Sequence, residues 1–338
     1  MDGAAVLTHV KLKDVDPDEV EVGYSLMSEE HRPNELVRYA QLAEDAGFTF
    51  ATISDHYHPW TSSEGNSPFV WATIGGVAHA TRKLRLGTAV TCPTMRIHPA
   101  IIAQAAATAA AMMPDRFFFG VGTGENLNEH ILGSAWPPHE VRSDMLVEAV
   151  ELIRELWKGK NTSFYGDFYV VQNARIYTLP ESAVPIYVAA EGPNMAKTAG
   201  EIGDGLISTT PKGDFIKVFR EQAGEDLPLC SQATVCYAPS EAEGKKIVHE
   251  VWPIVGLPGE LNRELPTPVF FEQAASVLTE EQATDGVACG NDLEKHLEVF
   301  KTYLDAGFRK ISVHNVGPNQ EEFFRFYKEK VIPQIKNL

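Results

Sequence analysis

Residues 54–60 read SDHYHPW, directly after the apolar run FTFATI. An acid, two imidazoles and an indole are packed into seven positions. A histidine near neutral pKa can take or give a proton, so His56 and His58 are both candidate bases. A metal site built from Asp55, His56 and His58 would need a third and fourth ligand cluster at suitable spacing, and the chain offers none. A second group lies in GVGTGENLNE, 120–129. The third glycine of a dinucleotide fingerprint would fall on Glu125, so that reading fails. Three glycines without side chains would instead let a flat ring or a pyrophosphate approach the backbone, with Glu125 protruding beside it. A third group, AAEGPNMAKTAG, ends an apolar run and opens a helix at Pro193, and free N–H groups at such a start attract phosphate.

These groups need elements to bring them together. Strand-like runs lie at 20–26, 48–54, 84–91, 116–122, 185–190, 205–210, 230–238 and 310–316. Helix-like stretches fall between them, at 33–47, 145–159 and 291–307 among others. Pro33 suits a first helical turn and Gly47 a stop; Asn291 or Asp292 is the cap of the last stretch and Gly307 its terminator. Eight strands alternating with helices imply parallel pairing with right-handed crossovers, and the count favours a closed (β/α)8 TIM barrel over an open doubly wound sheet. The expected organisation is a single domain over 1–338. It carries two insertions, a long loop at 124–143 after strand 4 and a Pro- and Gly-rich segment at about 239–285 before outer helix 7. In such a barrel the strand C-termini carry the chemistry. DHYHPW, TAVTCPT (88–94), GTGENLNE (122–129), AAEGPN (189–194) and STTPKG (208–213) would therefore converge on one mouth.

Composition narrows the partners. The 338 residues carry a formal net charge of −17, which argues against nucleic acid and anionic membranes, since both need clustered Lys and Arg. The N-terminus lacks the pattern of a signal peptide, and the run at 100–113 is too short to span a bilayer and is broken by Gln104. Cys92, Cys230, Cys236 and Cys289 form no Cys-x-x-Cys pair. Cys230 and Cys236 in one strand would stand about 20 Å apart, beyond disulfide reach. Buried reduced thiols in a cytoplasmic protein are expected.

With these stretches assembled, the chain resembles the F420-dependent glucose-6-phosphate dehydrogenase group of the luciferase-like superfamily. The likeness rests on TISDHYHPW, LRLGTAVTCPT, HPAIIAQAAAT, DRFFFGVGTGENLNE, GDFYVVQNARIY, PIYVAAEGPNMAKTAGEIGDGLI and TTPKG, in order across 50–213; the C-terminal third is looser. The resemblance implies a barrel that binds coenzyme F420, a 5-deazaflavin. It implies that His56 takes the hydroxyl proton of an alcohol or sugar while a hydride leaves the same carbon for C5 of the ring. Trp60 would wall the reacting centre and Glu125 would manage charge at N1. Asp55, Thr123, Gly124 and Asn128 would line the cofactor, with a cis peptide between Ala89 and Val90 and Gly192 at the phosphate. A homodimer is also implied. Of the three cations that hold glucose 6-phosphate in this group, Lys212 matches one, but Gln273 and Gly286 stand where the other two belong, and Glu191 replaces a glycine. The expected substrate is thus a neutral alcohol or unphosphorylated sugar, with phosphate recognition weak or absent and Arg263 unplaced. Three other readings share the barrel: an F420-dependent glucose-6-phosphate or sugar-phosphate dehydrogenase, an FMN-dependent monooxygenase and a flavin-binding protein without turnover.

Overall fold

The computed structural model describes residues 9–12, 19–211, 213–257, 259–335 and 338. Lys212 and most of the N-terminal segment therefore lie outside the described residues. Among the described residues there are eleven strands: β1 Glu21–Leu26, β2 Phe50–Ile53, β3 Arg85–Thr88, β4 Phe117–Val121, β5 Thr162–Tyr165, β6 Val170–Ala174, β7 Ile186–Ala189, β8 Gly205–Ser208, β9 Leu229–Cys236, β10 Ala288–Cys289 and β11 Lys310–Asn315. Eight of them, β1, β2, β3, β4, β7, β8, β9 and β11, pair in parallel in that order, and β11 returns to β1. The sheet is thus a closed (β/α)8 barrel whose eight strands are the eight expected runs. Both faces of these strands are covered, which is why they read as near-continuous apolar stretches rather than alternating ones. The fully buried FATI of β2 and FFFGV of β4 show it.

Local signals set the helix ends where expected. Pro33 opens the helix Pro33–Ala46, and Gly47 closes it at φ 96°, its N–H on the carbonyls of Ala43 and Glu44. Asp292 caps Leu293–Asp305 through the Glu294 N–H.

Three features depart from the sequence pattern. The stretch 162–174 is an antiparallel hairpin, β5–β6, outside the barrel. Its turn is held by the Glu148 carboxylate, which accepts from the backbone N–H groups of Asp167, Phe168 and Tyr169 at 2.7–2.9 Å. The long loop after β4 is shorter than expected: the helix runs His139–Leu156, not from 145. Its first turn buries Arg142, whose guanidinium lies 3.9 Å from the Trp136 ring centroid and donates to the Pro137 carbonyl at 2.8 Å. A charged residue used as a buried packing surface does not read as apolar periodicity. The segment 239–285 is not a bare loop but a set of short helices, Glu241–Val251, Gly259–Glu264, Pro268–Ala275 and Glu280–Ala283.

All four cysteines are free and buried. No helix among the described residues is long and apolar enough to cross a membrane, and among them no group of three or more His, Cys, Asp or Glu could hold a metal ion.

Candidate active site

The strand C-termini open into one cleft of about 660 Å³. Asp55, His56, Trp60, Ala89, Val90, Thr123, Gly124, Glu125 and Asn128 all line it. Gly192 does not; its neighbour Glu191 does, and Gly192 forms the N-cap of the helix Pro193–Ile202.

The two imidazoles of the DHYHPW loop have different settings. His58 turns away from the cleft, its Nδ1 2.9 Å from the carbonyl of Leu127. His56 faces the cleft with its side chain 10% exposed. Its Nδ1 meets the carbonyl of His58 at 3.2 Å and Oε1 of Glu29 at 3.3 Å. Both are acceptors, so Nδ1 carries the proton and the neutral ring keeps its lone pair on Nε2. Nε2 lies 3.3 Å from Oε2 of Glu125. Burial works against the imidazolium, but the charges of Glu29 and Glu125 outweigh it and raise the His56 pKa. Glu125 is raised as well, by burial first, with His56 and the Asn128 amide pulling the other way. Its side chain is still 30% exposed, so water moderates that push.

Glu29 was not legible as a site residue. It lies three positions past β1, in LMSEEH, a strand end that offers two ordinary-looking acids before a helix. Its side chain is 0% exposed, Oε2 accepts from the Ser54 hydroxyl at 2.7 Å, and Oε1 has no hydrogen-bond partner. The usable signal was positional: every barrel strand, including the first, ends at this mouth.

Asp55 and Asn128 are held by the protein. Asp55 accepts from the Thr91 hydroxyl at 2.8 Å and from Arg96 Nη2 at 2.9 Å. Arg96 Nη2 also donates to the Asp55 carbonyl at 3.1 Å, and Arg96 Nε lies 3.6 Å from Glu129. Burial opposes the Arg96 charge, but these two acids hold its pKa above the usual value. Burial pushes Glu129 up to about 7, against the pull of Arg96. Asn128 ties the DHYHPW loop to the end of β4: its Oδ1 accepts from the N–H groups of Tyr57 and His58, and its Nδ2 donates to Glu125 at 2.9 Å.

The glycines after β4 also let the protein's own chain approach closely. A Cβ on Gly122 would stand 2.7 Å from Val90 Cγ2, and one on Gly124 2.6 Å from Cys92 Sγ. Val90 and Cys92 of the protein itself stand at those positions, where Thr91 bridges to Val121 of β4, and the peptide between Ala89 and Val90 is cis. The cis bond agrees with the resemblance.

Trp60 stands 4.9 Å from His56, ring centre to ring centre, and packs edge-on against Phe271 and Trp252. Both partners come from the 239–285 segment, which thereby covers the site. Of the positions expected to lack phosphate-binding cations, Gly286 lines the cleft and Gln273 is exposed on an outer helix.

Residues 17–311 match the family model described as luciferase-like monooxygenase. The chain is 36% identical to the F420-dependent glucose-6-phosphate dehydrogenase of Nakamurella multipartita, covering 95% of this chain and 98% of that protein. It is 35% identical to the protein of that name from Mycolicibacterium smegmatis, covering 95% and 99%. Among solved structures it resembles an F420-dependent secondary alcohol dehydrogenase in complex with an F420-acetone adduct, at 30% identity and a TM-score of 0.87, covering 94% of this chain and 99% of that one. The fold is also that of the coenzyme F420-dependent tetrahydromethanopterin reductase from Methanopyrus kandleri, at 22% identity and a TM-score of 0.75, covering 94% and 99%. The family-model match and the near full-length similarity to these relatives agree: the chain belongs to the luciferase-like monooxygenase family, in the group of its F420-dependent dehydrogenase relatives.

Proposed function

We propose that this protein is a coenzyme F420-dependent dehydrogenase acting on the CH–OH group of a neutral alcohol or unphosphorylated sugar. The observation that carries it is His56, fixed between two carboxylates with Nε2 toward the cleft and Trp60 beside it. The residues suit a 5-deazaflavin. The cleft volume falls in the cofactor range, and Ala89, Val90, Ala189 and Ile207 give it an apolar wall for a flat ring. Thr123, Gly124 and Asn128, with Asp55 behind them, would hold the ring edge, and the helix start at Gly192 the phosphate.

When bound, the deazaflavin supplies a two-electron acceptor for a hydride. Nε2 of His56 takes the hydroxyl proton of the substrate, and the Glu29 carboxylate at Nδ1 stabilises the imidazolium that results. Glu125, whose carboxyl burial holds above its ordinary value, would serve as the proton donor for charge that develops at N1 of the ring. Trp60, Trp252 and Phe271 exclude water, which strengthens these charge interactions.

His56 works only when neutral, so kcat/KM rises with pH through its pKa. Glu29→Gln removes one of the charges that raise this pKa. The acid limb is expected to move to lower pH, and kcat to fall by about tenfold as the ring loses its orienting partner. A profile with an unmoved acid limb would remove Glu29 from this role.

Recognition of a phosphorylated sugar is opposed by the charges. Among the described lining residues Arg263 is the one Arg or Lys, set against Asp55, Glu125, Glu129, Glu191 and Asp285. Oxidised F420 mixed with a panel of alcohols, sugars and sugar phosphates tests the reading through loss of the cofactor's visible absorbance. A neutral substrate is expected to exceed glucose 6-phosphate in kcat/KM by at least about tenfold, the value of one missing charge-assisted contact. Glucose 6-phosphate as the best substrate would refute the substrate class; oxygen uptake with reduced FMN in place of F420 reduction would refute the cofactor. The reading includes a homodimer acting in the cytoplasm, and light scattering on the purified protein measures the assembly.

A further inference from the structure

Arg263 and Glu191 meet at the cleft mouth from opposite sides. Arg263 belongs to the helix Gly259–Glu264 of the 239–285 segment, and Glu191 to the turn after β7. Arg263 Nη2 lies 3.2 Å from Oε2 of Glu191, whose Oε1 accepts from the Thr209 hydroxyl. The side chains are 29% and 36% exposed. A second acid, Glu260, stands 3.8 Å from Arg263 Nη1 but is largely in solvent.

We propose that Arg263 is the cofactor's anion-binding residue and that Glu191 is an internal stand-in for that anion, holding the guanidinium until a phosphate displaces it. The inference rests on the F420 reading above. Three observations carry it. First, Arg263 is the one described Arg or Lys in a cleft lined by five acids, so an anionic ligand has no other guanidinium or ammonium to meet among the described residues. Second, Glu191 directly precedes Gly192, the N-cap of a ten-residue helix that has no side-chain cap. Its carboxylate thus pairs with Arg263 one residue before a helix start that no side chain caps. A phosphate bound there would gain both, and would meet Glu191 as a like charge. Third, the Arg263 helix is anchored without Glu191. The Asn126 amide donates to the Glu264 carbonyl at 3.0 Å, and Arg142 Nη1 lies 3.5 Å from Oε1 of Glu264. Freeing Arg263 from Glu191 thus leaves it in the cleft wall, available to a ligand.

The test is equilibrium titration of the intact protein with oxidised F420, without substrate, followed by cofactor fluorescence. Glu191→Gln is expected to tighten Kd by roughly fivefold, the scale of a half-exposed charge pair. Arg263→Gln should weaken it by roughly tenfold or more and flatten its dependence on salt. The double variant should bind far closer to Arg263→Gln than to Glu191→Gln, because Glu191 acts mainly by holding Arg263 and its direct repulsion of the ligand is the smaller effect, and Arg263→Lys should recover part of the loss. Both side chains are partly exposed, and unchanged circular dichroism and Tm check that the variants fold. Weaker or unchanged binding in Glu191→Gln, or wild-type binding in Arg263→Gln, overturns the proposal while leaving the F420 reading in place. No F420 binding by the wild type or any variant overturns that reading, and this one with it.

Discussion

His56→Ala lowers kcat by two to four orders of magnitude, the span lost when a positioned general base is removed, while the Kd for oxidised F420 changes by less than about threefold. The split follows from geometry. The imidazole is hydrogen-bonded at Nδ1 to the His58 carbonyl, with Glu29 Oε1 3.3 Å away, and presents Nε2 to the cleft. Its loss removes a proton acceptor but leaves the walls formed by Ala89, Val90, Ala189 and Ile207. Steady-state turnover and cofactor titration on the same preparation measure both quantities. Full turnover in the variant would remove His56 as the base. A parallel loss of cofactor binding would make it a structural post of the cleft instead.

The second large effect is on stability. Arg96 is 7% exposed and lies between Asp55 and Glu129, each 1% exposed at the side chain. Arg96→Ala leaves two buried acids without their cation, and a buried pair broken on one side costs about 3–5 kcal/mol. Denaturant unfolding at neutral pH measures it. The sign of its pH dependence is fixed. Burial already raises the Glu129 carboxyl to about 7 against the pull of Arg96; without that cation its folded-state pKa stands higher still, both values above the unfolded one. The folded variant then binds more protons, and its stability falls as pH rises through those values. The difference from wild type is expected to shrink toward pH 5. A loss below about 1 kcal/mol, or one independent of pH, would show that water reaches and solvates these acids.

The barrel was readable because its cause is local and repeated. A parallel strand buried on both faces must be an apolar run, and each helix start and stop carries its own Pro, Asp or Gly, as at Pro33, Gly47 and Asp292. Placing DHYHPW and GVGTGE at one mouth followed from strand direction, whereas the grouping of His56 with Trp60 and Glu125 came from the family resemblance. The hairpin at 162–174 escaped because its turn is fixed by Glu148, a residue on a helix elsewhere in the chain.

What the residues determined by themselves was the alternation of elements, the burial of the four cysteines, and the set of acids and imidazoles at the strand ends. What only the tertiary structure decided was which of those groups act on which. Nothing in the order of residues says that His56 faces the cleft while His58 is bonded to Leu127, that Glu29 stands behind the imidazole, or that Arg263 reaches Glu191. Each of those pairs joins side chains from different strands or loops, and their charges are tuned by distances of 3–4 Å and by exclusion of water. Spacing along the chain encodes neither quantity; both arise only when the barrel closes and the 239–285 segment folds over its mouth.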